Sequence, residues 1–138
     1  MAQPLGIYIH IPFCKSKCDY CDFYSLAGRE DAMDRYQKAL LSHIKTLAPF
    51  LKGRPVDTIY FGGGTPSYYG EKRLREVLSS LLRHFSVNRS AEITLECNPD
   101  SVDLRSMAKL RRAGFNRVSL GMQSAASPQL HCIHRIHP

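Results

Sequence analysis

Short apolar runs alternate along this chain with longer segments whose apolar residues recur at helical spacing. The isoleucine-rich run Ile7-Tyr8-Ile9-His10-Ile11 reads as a strand, with Tyr8 and His10 sharing one of its faces. Between residues 31 and 48, Met33, Tyr36, Leu40, Ile44 and Leu47 fall on one helical face that can cover a sheet. Residues 56–61 predict a second strand, ended by Gly62-Gly63-Gly64. Residues 71–85 place Leu74, Val77, Leu78, Leu81, Leu82 and Phe85 on one side of a second amphipathic helix. A third strand is predicted at 91–97, and a helix at 102–113 is stopped by Gly114 as its C-cap. A fourth strand follows at 116–121, with a last helical stretch from about Pro128.

Strands alternating with helices predict an α/β fold with parallel strands joined by right-handed crossovers. In barrels built this way the active site forms at the carboxyl ends of the strands. The chemistry-bearing residues obey that rule. A cysteine loop follows the first strand, three glycines follow the second, Glu96 ends the third and Gln123 follows the fourth.

At 138 residues the chain is one domain's worth, and 43% hydrophobic with 22% charged residues is an ordinary globular composition. The formal net charge of +7 raises the question of nucleic acid. The cations are scattered, however, among them Lys15, Lys17, Arg29, Lys52, Arg54, Arg73, Arg75, Arg111 and Arg112, and no nucleic-acid motif frames them. Anionic small molecules explain the excess as well. No apolar run reaches the roughly 18 residues of a membrane span. The five cysteines, an odd number without a signal peptide, point to a reducing, cytoplasmic setting.

Three of those cysteines, Cys14, Cys18 and Cys21, sit in one short loop with three and two residues between them. Cysteine thiolates are the usual ligands of iron–sulfur clusters, and a four-iron cubane normally takes four. Three from one loop would leave the fourth iron to something other than a side chain, which points to catalysis. Two alternatives stand beside this. Zinc needs a fourth ligand that His10 could supply, although paired C-x2-4-C or H-x3-5-H units are its usual pattern. A disulfide is disfavoured by the reducing setting.

The segment Tyr8-Ile9-His10-Ile11-Pro12-Phe13-Cys14, continuing through C-x3-C-x2-C with Tyr20 before the last cysteine, resembles the radical S-adenosylmethionine (SAM) family. Within it the chain is most similar to the branch containing the oxygen-independent coproporphyrinogen III oxidases and the radical-SAM haem chaperones. The resemblance continues through Phe61-Gly62-Gly63-Gly64-Thr65-Pro66, Ile93-Thr94-Leu95-Glu96-Cys97-Asn98-Pro99 and the run from Gly114 to Ser124. It implies a partial (β/α) barrel of six units, of which residues 1–138 would form the N-terminal part with about four. A sheet ending there would leave the fourth strand as an open edge, so a truncated, poorly soluble or self-associating chain is the expectation.

The resemblance also assigns roles. Cys14, Cys18 and Cys21 would hold a [4Fe–4S] cluster. Tyr8 would help hold SAM through its hydroxyl, the backbone at Tyr20 would read the adenine edge, and Gly63, Gly64 and Thr65 would contact the cofactor. Glu96 would accept from the ribose hydroxyls. Gln123 carries over as a further contact, as does Arg135, twelve residues later. The implied chemistry is reductive cleavage of SAM to methionine and a 5′-deoxyadenosyl radical. The implied partners are haem or another tetrapyrrole, haem also being a possible ligand, and an electron donor such as flavodoxin or ferredoxin.

Each residue also has a plainer reading. The glycines could merely turn the chain, Tyr8 could be a core aromatic, and Glu96 and Arg135 could be solvated charges. His10 is expected to hydrogen-bond at its strand end, and Cys97 to be a core thiol. Cys132 lies outside the cluster loop, and His131, His134 and His137 are too few to imply haem binding. Relatives of the oxidase branch tend to carry a further cysteine where this chain has Asp22-Phe23-Tyr24, which favours the chaperone branch. Ala125-Ala126 departs from the usual phenylalanine and polar residue. Three functions follow as expectations: a radical SAM protein of haem biosynthesis or trafficking, a non-catalytic haem-transfer protein, or an inactive fragment.

Overall fold

A computed structural model describes residues 3–13, 30–99 and 103–120. Its elements in order are β1 (Leu5–Ile11), α1 (Glu30–Leu47), a single 3-10 turn (Ala48–Leu51), β2 (Pro55–Gly63), α2 (Pro66–Tyr69), α3 (Glu71–His84), β3 (Ser86–Cys97), α4 (Leu104–Ala113) and β4 (Arg117–Leu120). The four strands form one sheet in the order β1-β2-β3-β4, every neighbouring pair parallel. This is the α/β alternation the sequence predicts.

The two sheet faces differ as the strand pleat requires. Ile9, Ile11, Ile59, Phe61, Ile93, Leu95 and Cys97 are buried in one core with Met33 and Ile44 of α1, Leu74, Val77, Leu78 and Leu81 of α3, and Leu110 of α4. Phe61 is fully buried and meets Phe115 edge-on at 5.0 Å. Burying such a ring stabilises the fold by about 2 kcal/mol. The opposite parity carries Tyr8, His10, Tyr60, Thr94, Glu96 and Arg117, matched across the strands by Tyr8↔Tyr60↔Thr94↔Arg117. Hence one face holds the protein together and the other is free to carry chemistry.

A buried polar hub locks α1 to α2 and α3. Gln37 donates to Glu76 Oε1 at 2.7 Å and to the Arg73 carbonyl at 3.1 Å, while its own amide oxygen accepts from the Tyr69 hydroxyl at 2.8 Å. With its partners supplied, a glutamine 6% exposed is tolerated where an unpaired amide would destabilise. Arg73 adds an ion pair to Asp34 at 2.8 Å.

Several boundaries depart from expectation. The glycine run does not end β2 at Phe61: Gly62 and Gly63 stay in the ladder, paired with His10 and Ile11. β3 begins at Ser86, five residues before the predicted start, and its register slips between Val56↔Val87 and Thr58↔Glu92 to absorb extra residues. The polar, exposed Asn88-Arg89-Ser90 hides that entry from an apolar pattern. The short α2, with Pro66 at its first position, was not anticipated. α4 starts at Leu104 behind a true N-cap, Asp103 accepting from the Ser106 N–H at 2.7 Å. Residues beyond Leu120, including Gly121, Ala125-Ala126, Cys132, the three late histidines and the expected helix from Pro128, lie outside the described residues.

Candidate functional site

The site is assembled where β1 and β2 end. Past β1, Phe13 is buried, lies parallel to Tyr69 at 5.5 Å, and meets Tyr36 edge-on at 5.6 Å. The Gly64 N–H donates to the Ile11 carbonyl and the Thr65 N–H to the Phe13 carbonyl, each at 2.7 Å. The chain is thereby pinned against the glycine run up to the residue immediately before Cys14. Since those two N–H groups are already engaged and the Thr65 carbonyl accepts from the Tyr68 N–H at 2.9 Å, what remains for a ligand is the Gly64 carbonyl oxygen, the Thr65 hydroxyl and the lack of bulk at glycine.

The glycines are required by their neighbours. A Cβ on Gly62 would lie 2.8 Å from Tyr60 Cε1 and 3.1 Å from Tyr8 Cε1. On Gly63, whose φ is +117°, it would lie 2.8 Å from both His10 Nδ1 and the Ile11 carbonyl oxygen. Bare backbone at these positions leaves room for the rings across the strand.

Those rings form a polar layer. Tyr8 Oη lies 3.1 Å from His10 Nδ1, and the Tyr36 hydroxyl donates to the His10 carbonyl, giving His10 the hydrogen-bonding role expected of it. Tyr8 and Tyr60 stack at 6.0 Å with 18° between their planes. Tyr60 in turn donates to Glu96 Oε2 at 2.8 Å. Arg117 reaches Thr94 Oγ1 at 3.4 Å and Glu92 at 3.5 Å. Burial, and then the negative charge of Glu96, raises the Tyr8 phenol above its ordinary value. Burial and donation to Glu96 raise Tyr60 against the opposing pull of Ser119 and Arg117. Both phenols therefore remain proton donors through the neutral range.

Of the residues singled out in the sequence, Gly63 ends β2, Gly64 and Thr65 follow it, and Glu96 lies one residue before the end of β3, while Tyr8 sits in the middle of β1 and reaches Glu96 through Tyr60. Cys14, Cys18, Cys21, Tyr20, Gln123 and Arg135 lie outside the described residues. The sequence pattern does not single out Tyr60 or Arg117, and it places Tyr36 only on the apolar face of α1. Tyr60 was findable, because it shares strand parity with Gly62 and so faces the same side.

Cys97 is the core thiol expected, 3% exposed on the helix side of the sheet. Burial first, and the Glu96 charge second, push its pKa from 9.0 up to about 11. The thiolate is the reactive form, so the raised pKa lowers its share at neutral pH while burial keeps reagents away. Iodoacetamide at neutral pH should label Cys97 only on unfolding, as read by peptide mass mapping with and without urea. Labelling in the native state at the rate of a free thiol would contradict its burial.

The model of the radical SAM superfamily matches residues 8–138. The chain belongs to this superfamily. It is 41% identical to the heme chaperone HemW of Mycobacterium tuberculosis over an alignment 138 positions long that covers 98% of this chain and 35% of that protein. To the oxygen-independent coproporphyrinogen III oxidase of Escherichia coli it is 37% identical over 122 residues, 88% of this chain and 27% of the relative. The chain thus spans about a third of the length of the curated relatives it matches. Among solved structures it superposes on coproporphyrinogen III oxidase (HemN) from Escherichia coli, described as a radical SAM enzyme, with a TM-score of 0.87. That likeness covers 99% of this chain and 32% of that one at 33% identity. The parallel sheet with its helices is thus part of the radical SAM fold, as expected. No helix among the described residues is long and apolar enough to cross a membrane.

Proposed function

We propose that residues 1–138 form the N-terminal part of a radical SAM core domain that binds a [4Fe–4S] cluster and SAM and serves haem biosynthesis or trafficking in the cytoplasm. The observation that supports this is the pinning of Phe13, the residue before Cys14, to Thr65 of the glycine run, at the end of the sheet that also carries Glu96. The donor set fits the groups. Three cysteine thiols in one loop suit a cluster with one iron open, and a carboxylate with one oxygen already held suits a ribose diol. When bound, the cluster would supply the electron that cleaves SAM reductively to methionine and a 5′-deoxyadenosyl radical.

The chain's own residues have separate tasks. Cys14, Cys18 and Cys21 hold the cluster. Tyr8, held against His10, and the small residues Gly63, Gly64 and Thr65 shape the cofactor's seat. Glu96 takes the ribose, while Tyr20, Gln123 and Arg135 complete the adenine and outer contacts. The substrate or cargo is haem or a related tetrapyrrole, in keeping with relatives named as a heme chaperone and a coproporphyrinogen oxidase. The run Asp22-Phe23-Tyr24, where oxidases tend to carry a further cysteine, supports the chaperone side. A flavodoxin or ferredoxin would deliver the electron.

The test is anaerobic reconstitution of the full chain, reduction with dithionite in the presence of SAM, and chromatography for 5′-deoxyadenosine. Release of 5′-deoxyadenosine at more than background, altered by added haem or porphyrinogen, is the expected outcome. Full cluster loading with no such release, with or without tetrapyrrole, would replace the enzyme reading by a non-catalytic haem carrier.

A further inference from the structure

Tyr60 belongs to none of the chain's motifs, yet it ties the polar face together. Its hydroxyl donates to Glu96 Oε2 on β3 at 2.8 Å. Ser119 on β4 reaches the same phenolic oxygen, and the ring stacks on Tyr8 of β1. Its place is built into the fold: a Cβ on Gly62 would lie 2.8 Å from Tyr60 Cε1, so the glycine leaves the space the ring occupies. A glutamate at a strand end has three rotatable bonds and turns freely unless something holds it. A ligand hydroxyl is recognised well only by an acceptor already held in the binding orientation.

We propose that Tyr60 is the positioning residue for Glu96, holding Oε2 so that Oε1 stays available as the acceptor for a ribose hydroxyl of SAM. This rests on the SAM reading above and adds a residue to it. The tyrosine acts only through the carboxylate. Because burial and Glu96 both favour the protonated phenol, the donor persists across the neutral range. Phenylalanine would keep the ring and its stacking on Tyr8 while deleting the donor.

The experiment measures SAM affinity by equilibrium dialysis on the reconstituted full chain carrying Tyr60→Phe, Glu96→Ala or both. Tyr60→Phe should keep its iron and weaken SAM binding about five- to twentyfold when Glu96 is present, less than the roughly ten- to hundredfold that a direct hydrogen bond to a charged group is worth, because Tyr60 acts only through the carboxylate. In the Glu96→Ala background it should change nothing, since coupled residues are non-additive. It should also narrow the preference for SAM over its 2′-deoxyribose analogue, which general loosening of the fold would leave unchanged. Unchanged affinity in Tyr60→Phe, or equal weakening in both backgrounds, overturns the inference while leaving the SAM reading intact. If Glu96→Ala itself binds SAM normally, the ribose role of Glu96 fails and the inference fails with it.

Discussion

Alanine in place of Cys14, Cys18 or Cys21 is expected to leave the anaerobically reconstituted chain without its cluster, each substitution alone being sufficient. A four-iron cluster held by three thiolates has no ligand to spare, and losing one leaves two protein bonds for about four irons. Wild-type chain should bind about four irons and show the broad visible absorption of thiolate-to-iron charge transfer. The single variants should show neither, while Cys97→Ala keeps both because that thiol is buried on the helix side of the sheet. Iron and sulfide analysis alongside the visible spectrum makes the measurement. Stoichiometric zinc in place of iron, or a cluster retained in all three variants, would sink the assignment and return the loop to a structural-metal reading.

The sheet was legible because its two faces have different chemistry. Ile9, Ile11, Ile59, Phe61, Ile93 and Leu95 alternate with Tyr8, His10, Tyr60, Thr94 and Glu96, and a period of two means a strand however the chain is later packed. The helices were legible from the apolar stripes now found buried at Met33 and Ile44 and at Leu74, Val77, Leu78 and Leu81. What escaped were features set by partners distant in sequence. Gly62 and Gly63 break strands in isolation, and only pairing with His10 and Ile11 keeps them in the ladder. The entry to β3 is polar and is recruited by Pro55 and Val56 through a slipped register. Tyr60 and Glu96 are 36 residues apart, and their bond exists only because β2 and β3 pair in one register. The cysteine loop is the opposite case, since residue type and spacing announce the chemistry of ligation before any geometry is known.

Gly63→Ala is expected to lower the stability of the fold by about 3 kcal/mol and to loosen the site at the same time, because two separate penalties meet at one backbone position. The first is conformational: a φ of +117° lies where residues with a Cβ are strained. The second is steric. The new methyl would sit 2.8 Å from His10 Nδ1 and 2.8 Å from the Ile11 carbonyl oxygen, and neither neighbour can move without loss. Ile11 is fully buried and its oxygen accepts from the Gly64 N–H, so displacing it frays the ladder that carries the chain toward Cys14. Moving the His10 ring separates it from Tyr8. Gly53→Ala supplies the control, since its φ is +88° but its Cβ would meet nothing within 4 Å. That variant carries backbone strain alone and should lose only about 1 kcal/mol. Urea unfolding of both variants, with SAM affinity measured on the reconstituted chain, separates the two penalties. If Gly63→Ala proves no less stable than Gly53→Ala and binds SAM as tightly as wild type, the close approach of β1 and β2 at the site is softer than the structure shows, and the glycine is there for its positive φ alone.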